Sequence, residues 1–265
     1  MTELTFKLKS VPRFPIDVEN LNPVTVVKTG QDKLDKLEVY EGNRVQQCSN
    51  FFEVTGEVAT DPGEQTVVID NSCDKLRRIG YELEKGQIIV NGNAGSHTGG
   101  LMKGGEITVK GNVGSYSGLE LKGGILTVEG NAGEFLGAAY WGSWTGMTGG
   151  KIIVKGNTGN EVGTWMKGGT IEINGHTGDF LGVHAGSKNA YMIAGSAGPR
   201  AGGQMTSGNI LIMDPVYTPL PSFKRIEEVN EVSIGEEKVI EGNFIHYTGD
   251  YSEKKKVTGA LYVKV

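Results

Sequence analysis

The chain has 265 residues, 42 of them glycine where soluble proteins average roughly 7%, and a formal charge of −5. That length can bury the core of one large domain or two ordinary ones, and an acidic balance without a basic stripe argues against a nucleic-acid partner. Two cysteines, Cys48 and Cys73, are too few for an iron–sulfur cluster, a four-thiolate zinc site or a disulfide framework.

Residues 1–64 read as an N-terminal cap. They carry Pro12, Pro15 and Pro23, a short helix expected around 32–37, and the strand-like FFEVTGEVA. No apolar leader core and no run near the roughly 18 apolar residues of a membrane span is present. The expectation is a soluble, cytoplasmic protein without a membrane span, its thiols reduced and buried.

Residues 65–215 repeat. Taking the glycine that closes each short strand as the origin, Gly92, Gly111, Gly130, Gly156, Gly175 and Gly195 are spaced 19, 19, 26, 19 and 20 apart. Glycine recurs in all six copies three residues on (Gly95 to Gly198) and seven residues on (Gly99 to Gly202). Four and two residues before the origin stand apolar pairs: Ile88/Val90, Ile107/Val109, Leu126/Val128, Ile152/Val154, Ile171/Ile173 and Tyr191/Ile193. Their neighbours are mostly polar, so each copy is a strand with one face in and one face out. A strand of about five residues cannot bury that face alone, whereas stacked copies form continuous Ile and Val ladders. Leu83, Met102, Leu121, Met147, Met166 and Met205 make a further inward column. Asn93, Asn112, Asn131 and Asn157 suggest an asparagine ladder at one corner. The fold expected is all-β, a right-handed parallel β-helix (β-solenoid) of about 19-residue coils, extended by weaker coils at QTVVIDN and NILIMDP.

The spacing of 26 marks seven extra residues in one coil, within GAAYWGSWTGM, where Tyr140, Trp141 and Trp144 lie; Trp165 is on the next coil. Insertions in solenoids gather on one face, often the binding face, and clustered aromatics are what an interface anchor uses. The alternative is a loop folded back over its own coil. Ile153, Met192, Leu211 and Met213 are apolar where other copies carry polar outward residues, so a partner or the strap that follows should cover them. Residues 216–265 read as that strap and a charged tail, with GNFIHYTGD and TGALYVKV able to pair as strands.

Chemistry is not visible in the sequence. No nucleophile elbow, Walker motif or HExxH is present, and GNVGSYSG recurs as a corner rather than opening a helix. His97 shares a corner column with Tyr116, Phe135, Glu161, Phe180 and Arg200. His176 and His184 with Asp179 form a weak metal candidate, and His246 has no ligand pattern around it. The outward charges alternate in sign (Lys110, Glu129, Lys155, Glu172), unlike the carboxylate cluster of a glycosidase.

The MKGGxIxVxGN strands joined to G-x-x-G-x-x-x-G corners resemble the glycine-repeat β-helix shared by two groups: the C-terminal domain of the large glutamate synthase subunit, and the C subunit of formylmethanofuran dehydrogenase. FFEVTGEVA, IDNSCDKLRRIG, AAYWGSWTGMTGG and YTGD favour the second. The resemblance implies a structural subunit of a complex that reduces CO2 and couples it to methanofuran in the first step of methanogenesis. It implies partners: a pterin-metal redox subunit, a zinc amidohydrolase-like subunit, a small pterin-binding subunit and polyferredoxin subunits. The cofactors (tungsten or molybdenum bis-pterin, [4Fe-4S] clusters and two zinc ions) would reside in those subunits, and no catalytic residue transfers to this chain. The alternatives are the C subunit of a methylotroph formyltransferase/hydrolase complex, or a stand-alone carbohydrate-active β-helix enzyme. The sixth copy departs from the pattern, with Lys188-Asn189 in place of the glycine pair.

Overall fold

The computed structural model describes residues 1–235, 238–253 and 257–265, so parts of the expected tail lie outside the described residues. The chain is mostly sheet. A 13-stranded sheet runs through it, beside a small sheet of four short strands. Among the described residues, ten strands of the large sheet are parallel, each paired with the next repeat: Thr2–Leu8, Gln65–Ser72, Gln87–Gly92, Glu106–Val109, Ile125–Val128, Thr148–Val154, Gly168–Thr177, Gly186–Ala197, Ser207–Ile212 and Ala260–Lys264. The first and last strands of the chain thus join the repeats in one sheet. Antiparallel strands cover both edges: Phe52–Gly56 on the first, and Lys238–Thr248 followed by Lys224–Ile234 on the last. Covered edges keep unpaired N–H and C=O groups from recruiting other chains.

Copies also join away from the strands. A second parallel column of bridges links Ala94, Val113, Ala132, Thr158 and Thr177. At the next corner each asparagine accepts from the backbone one copy on: Asn112 N–H to Asn93 Oδ1, Asn131 to Asn112, Asn157 to Asn131 and His176 to Asn157, all at 2.8–2.9 Å. The inward Ile/Val pairs are buried, as is the Leu/Met column. Each such side chain contributes about 1.5–3 kcal/mol of hydrophobic stabilisation. Leu4 and Phe6 extend the inward rows at one end, and Leu261 and Val263 at the other.

The sixth copy corrects the sequence reading. Ile171 pairs with Met192 and Ile173 with Ala194, and the register shifts before His176 meets Ser196. Met192, expected to face outward, is therefore an inward core residue with 0% exposure. Tyr191 and Ile193, expected inward, lie on the outer face. Pairs along this strand are 21 residues apart against 20 at His176–Ser196, so the copy gains two residues before the strand, beside Lys188-Asn189, and gives one back at the register shift. Relative to a count back from Gly195, that one-residue slip exchanges the two faces. The N-terminal region also differs in detail: an α-helix spans Pro23–Thr29, with Asn22 capping the Thr25 N–H at 3.0 Å and proline in its first turn, ahead of a 3-10 turn at Gln31–Lys36.

Outward apolar residues near the C-terminal end are covered by the chain itself. Ile193 and Leu211 cluster with Val232, Ile234 and Phe244 of the closing hairpin, and Tyr191, Met213 and Tyr262 pack around them. Leu211 is 1% exposed. Leu211→Ala is expected to cost about 2 kcal/mol, near the low end for a buried leucine because the hairpin can settle inward. Protease cleavage between 224 and 248 should accelerate in that variant, whereas an unchanged cleavage rate would mean that the hairpin is held by something else.

Candidate partner interface

Two corner columns build one wall of the molecule. Residues five and nine positions after each origin glycine adopt left-handed backbone: His97, Tyr116, Phe135, Glu161, Phe180 and Arg200 in one column, and Leu101, Glu120, Trp165, His184 and Gln204 in the other. Such conformations are uncommon outside glycine, and here they come in aligned rows locked copy to copy. The Tyr116 N–H donates to Glu134 O at 2.9 Å, and that of Phe135 to Asn160 O at 2.9 Å.

Alignment makes the side chains stack. His97 lies on Tyr116 (5.3 Å between centroids, 14° between planes) and Tyr116 on Phe135 (4.8 Å, 4°). In the second column Trp165 lies on His184 (4.1 Å, 7°). The insertion replaces the single second-column residue of its coil, leaving after Ala139 and rejoining at Gly146, whose N–H donates to Trp165 O at 2.9 Å. It leans over both stacks. The Tyr140 N–H donates to Glu120 Oε1 at 3.1 Å, the Trp141 indole N–H donates to the Tyr116 hydroxyl, and Trp144 meets Trp165 edge to face at 4.9 Å. Despite these contacts Trp141 remains 74% exposed and Trp144 69%. An ordered loop with two exposed tryptophans is costly in water unless something covers it.

Clefts open on either side of the loop. One, of about 230 Å³, is lined by Tyr116, Phe135, Trp141, Trp144, Glu161 and Trp165. The other, on the side of the earlier coils, includes Arg78, Tyr81, His97, Glu120 and Tyr140. Burial pushes the Tyr116 phenol up; the hydrogen bond from Trp141 opposes this, and nearby Tyr140, Glu161 and Glu134 add to it. Burial, reinforced by Arg78 and Arg77 against Asp17, holds His97 below its ordinary 6.5. Burial also lowers His184, with Glu253 opposing and Lys167 assisting.

Both stacked imidazoles are thus neutral in the folded chain at pH 7. As pH falls below about 6.5 the unfolded chain takes up these protons first, so their contribution is complete above pH 7 and is lost as pH falls through the folded values. Urea midpoints should decline from pH 7.5 to 5.5, and His97→Gln/His184→Gln should flatten that decline. An equal decline in the variant would assign it to other groups.

Of the residues singled out in the sequence, Tyr140, Trp141, Trp144 and Trp165 come together. Ile153 is a half-buried residue on the outer sheet face, Leu211 and Met213 lie under the hairpin, and Met192 is inside. The sequence reading placed Glu161 in the corner column with His97, Tyr116 and Phe135 but missed Glu120 as part of this wall and the Trp165–His184 stack; the nine-residue offset from each origin glycine was the available signal. His176 Nδ1 lies 2.9 Å from Ser196 Oγ, and His184 is occupied by its stack. Among the described residues no three His, Cys, Asp or Glu side chains are grouped to hold a metal. Lys110, Glu129 and Lys155 pair at 3.5 and 3.2 Å as a solvated ladder, and no helix among the described residues is long and apolar enough to cross a membrane.

No family model matches the chain. Along its whole length it is 47% identical, over 270 aligned positions covering 97% of the relative, to the C subunit of tungsten-containing formylmethanofuran dehydrogenase 2 of Methanococcus maripaludis. A tungsten-containing counterpart in Methanothermobacter wolfeii is 35% identical over 37% of each chain. The C subunit of molybdenum-containing formylmethanofuran dehydrogenase 1 of the same organism is 38% identical over 34% of this chain and 22% of the relative. In fold, the chain is similar to one in the formyltransferase/hydrolase complex of Methylorubrum extorquens with methylofuran, with a TM-score of 0.83, 24% identity, and 98% and 99% of the two chains covered.

Proposed function

The chain belongs to the family of formylmethanofuran dehydrogenase C subunits, and from that premise we propose that it is a structural, noncatalytic subunit of a tungsten or molybdenum formylmethanofuran dehydrogenase complex. In that complex CO2 is reduced and coupled to methanofuran. The observation that carries the structural role is the wall of stacked corners with Trp141 and Trp144 exposed on an ordered insertion. A right-handed parallel β-helix over residues 65–215, capped by 1–64 and strapped by 216–265, gives that wall its rigidity. The successive parallel pairings and the second column of bridges support this architecture.

The partners proposed are the pterin-metal redox subunit, the zinc amidohydrolase-like subunit, the small pterin-binding subunit and polyferredoxin subunits, in the cytoplasm. The pterin-bound metal, [4Fe-4S] clusters and zinc ions belong in this reading to those subunits. The residues of this chain do not fit them. Its two cysteines are Cys48, whose buried thiol is pushed up to about 11 by burial and donates to Leu34 O, and Cys73, far from it in sequence. The fold similarity to the formyltransferase/hydrolase chain suits both complexes, and the 47% identity favours the dehydrogenase.

Purification through a tag on this chain from its native cell tests the reading. Copurification of chains carrying tungsten or molybdenum, zinc and iron, with all the metal leaving when the partners are stripped, is expected. Metal or dehydrogenase activity retained by the stripped chain would overturn the noncatalytic assignment.

A further inference from the structure

The cleft has six aromatic side chains in its lining, Tyr116, Phe135, Tyr140, Trp141, Trp144 and Trp165, and one acid, Glu161. Thr164 Oγ1 lies 3.5 Å from Glu161 Oε2. Among the described residues Glu161 forms no ion pair. Trp141 spends its indole N–H on Tyr116 and Trp144 meets Trp165 edge to face, and both indoles keep most of their surface exposed. The faces of aromatic rings are electronegative and attract cations, and the carboxylate adds to the same field.

The chain already sets cations against rings on this wall, one of them Trp165 of the cleft itself. The Arg78 guanidinium lies 4.8 Å from the Tyr81 ring centre, that of Arg200 lies 5.2 Å from Phe180, and Lys167 Nζ lies 5.5 Å from Trp165. Arg200 belongs to the same corner column as Tyr116, Phe135 and Glu161. Within that column, aromatic ring and guanidinium are thus successive layers.

We infer that this cleft is an aromatic cage that receives an arginine side chain of a partner subunit, the guanidinium stacking on the tryptophan and phenylalanine faces and hydrogen-bonding Glu161. The inference rests on the reading of this wall as a docking face and specifies the chemistry of what docks. Arginine suits the site better than lysine because a planar, weakly hydrated guanidinium stacks on rings while donating in its own plane to a carboxylate.

All three tryptophans of the chain line this cleft, so intrinsic fluorescence of the full-length chain reports on it. Titration with N-acetyl-arginine amide should perturb the emission with an affinity in the millimolar range. The uncharged, near-isosteric N-acetyl-citrulline amide should bind about fivefold more weakly or worse. Glu161→Gln should remove most of that preference. Equal responses to the two probes, or no response to arginine at tens of millimolar, would overturn the cage. In the assembled complex Glu161→Gln should weaken association about fivefold to tenfold and make it less salt-dependent, and unchanged association would also overturn it. Trp141→Ala separates this from the docking reading. If that change leaves assembly intact, the docking face falls, and the arginine contact falls with it. If it weakens assembly while citrulline matches arginine, the cage alone falls.

Discussion

Replacing Trp141 and Trp144 together by alanine is expected to weaken assembly with the partner subunits by about a hundredfold or more, while the urea midpoint of the free chain stays nearly constant. Exposed aromatic anchors that become buried at the centre of an interface typically contribute about 2 kcal/mol or more each, and about 1.4 kcal/mol is a factor of ten in affinity. The free fold should tolerate the change because the loop stands outside the core. Its coil is held instead by Ala138, Leu136 and Met147, all buried, and by backbone bonds such as Ala139 N–H to Thr164 O at 3.0 Å. Pull-down of partner chains at graded concentrations measures the loss. Near-native affinity in the double variant would remove the insertion from the interface.

Gly130→Ala should have the largest effect on stability, about 3 kcal/mol or more, for a reason the sequence alone did not supply. The repeated origin glycines read naturally as corners that need left-handed backbone, yet Gly111, Gly130, Gly156 and Gly175 are absent from the positive-φ positions. They are needed for space. A Cβ on Gly130 would lie 2.4 Å from Asn112 Oδ1 and 2.7 Å from Gly111 O. The asparagine ladder and the glycine column therefore require each other: the side-chain oxygen that accepts the Asn131 N–H occupies the place of the missing methyl. Overpacking against backbone cannot be relieved by a rotamer change. Asn112→Gly in the same chain should restore part of the loss, because Gly111 O remains in the way. Gly142→Ala is the control: at φ +87° with nothing within 4 Å, it should cost only the roughly 1–2 kcal/mol of left-handed backbone. Thermal or urea denaturation of the three variants decides this, and a Gly130→Ala cost no greater than that of Gly142→Ala would contradict the spatial explanation.

Much of the fold was legible because the repeat states it several times. Period-two pairs such as Ile107/Val109 and Leu126/Val128, the Leu/Met column and the asparagine corner all recur at one spacing, and stacking identical copies turns sequence columns into spatial rows. Reading failed where a copy is irregular. Lys188-Asn189 conceal that the sixth copy gains two residues before its strand and gives one back after it, and counting back from Gly195 put Tyr191 and Ile193 inward where Met192 and Ala194 are. The chain ends were legible only in part. Leu4, Phe6 and Leu8 alternate like any copy, but without glycine columns nothing tied Thr2–Leu8 to the repeats. For the interface, the tryptophan cluster stood out locally. Its acid, Glu161, lies outside the insertion: sequence spacing put it in the corner column with Tyr116 and Phe135, but not beside the tryptophans, which only the folded loop brings to it.

The most direct test of the structural role is amide hydrogen exchange in this chain, measured free and in the complex purified through it. A docking wall predicts that protection gained on assembly concentrates in residues 139–147 and in the corner segments around Tyr116, Phe135, Glu161 and Trp165. Unchanged exchange there, with new protection confined to the closing hairpin or the opposite faces of the coils, would contradict it.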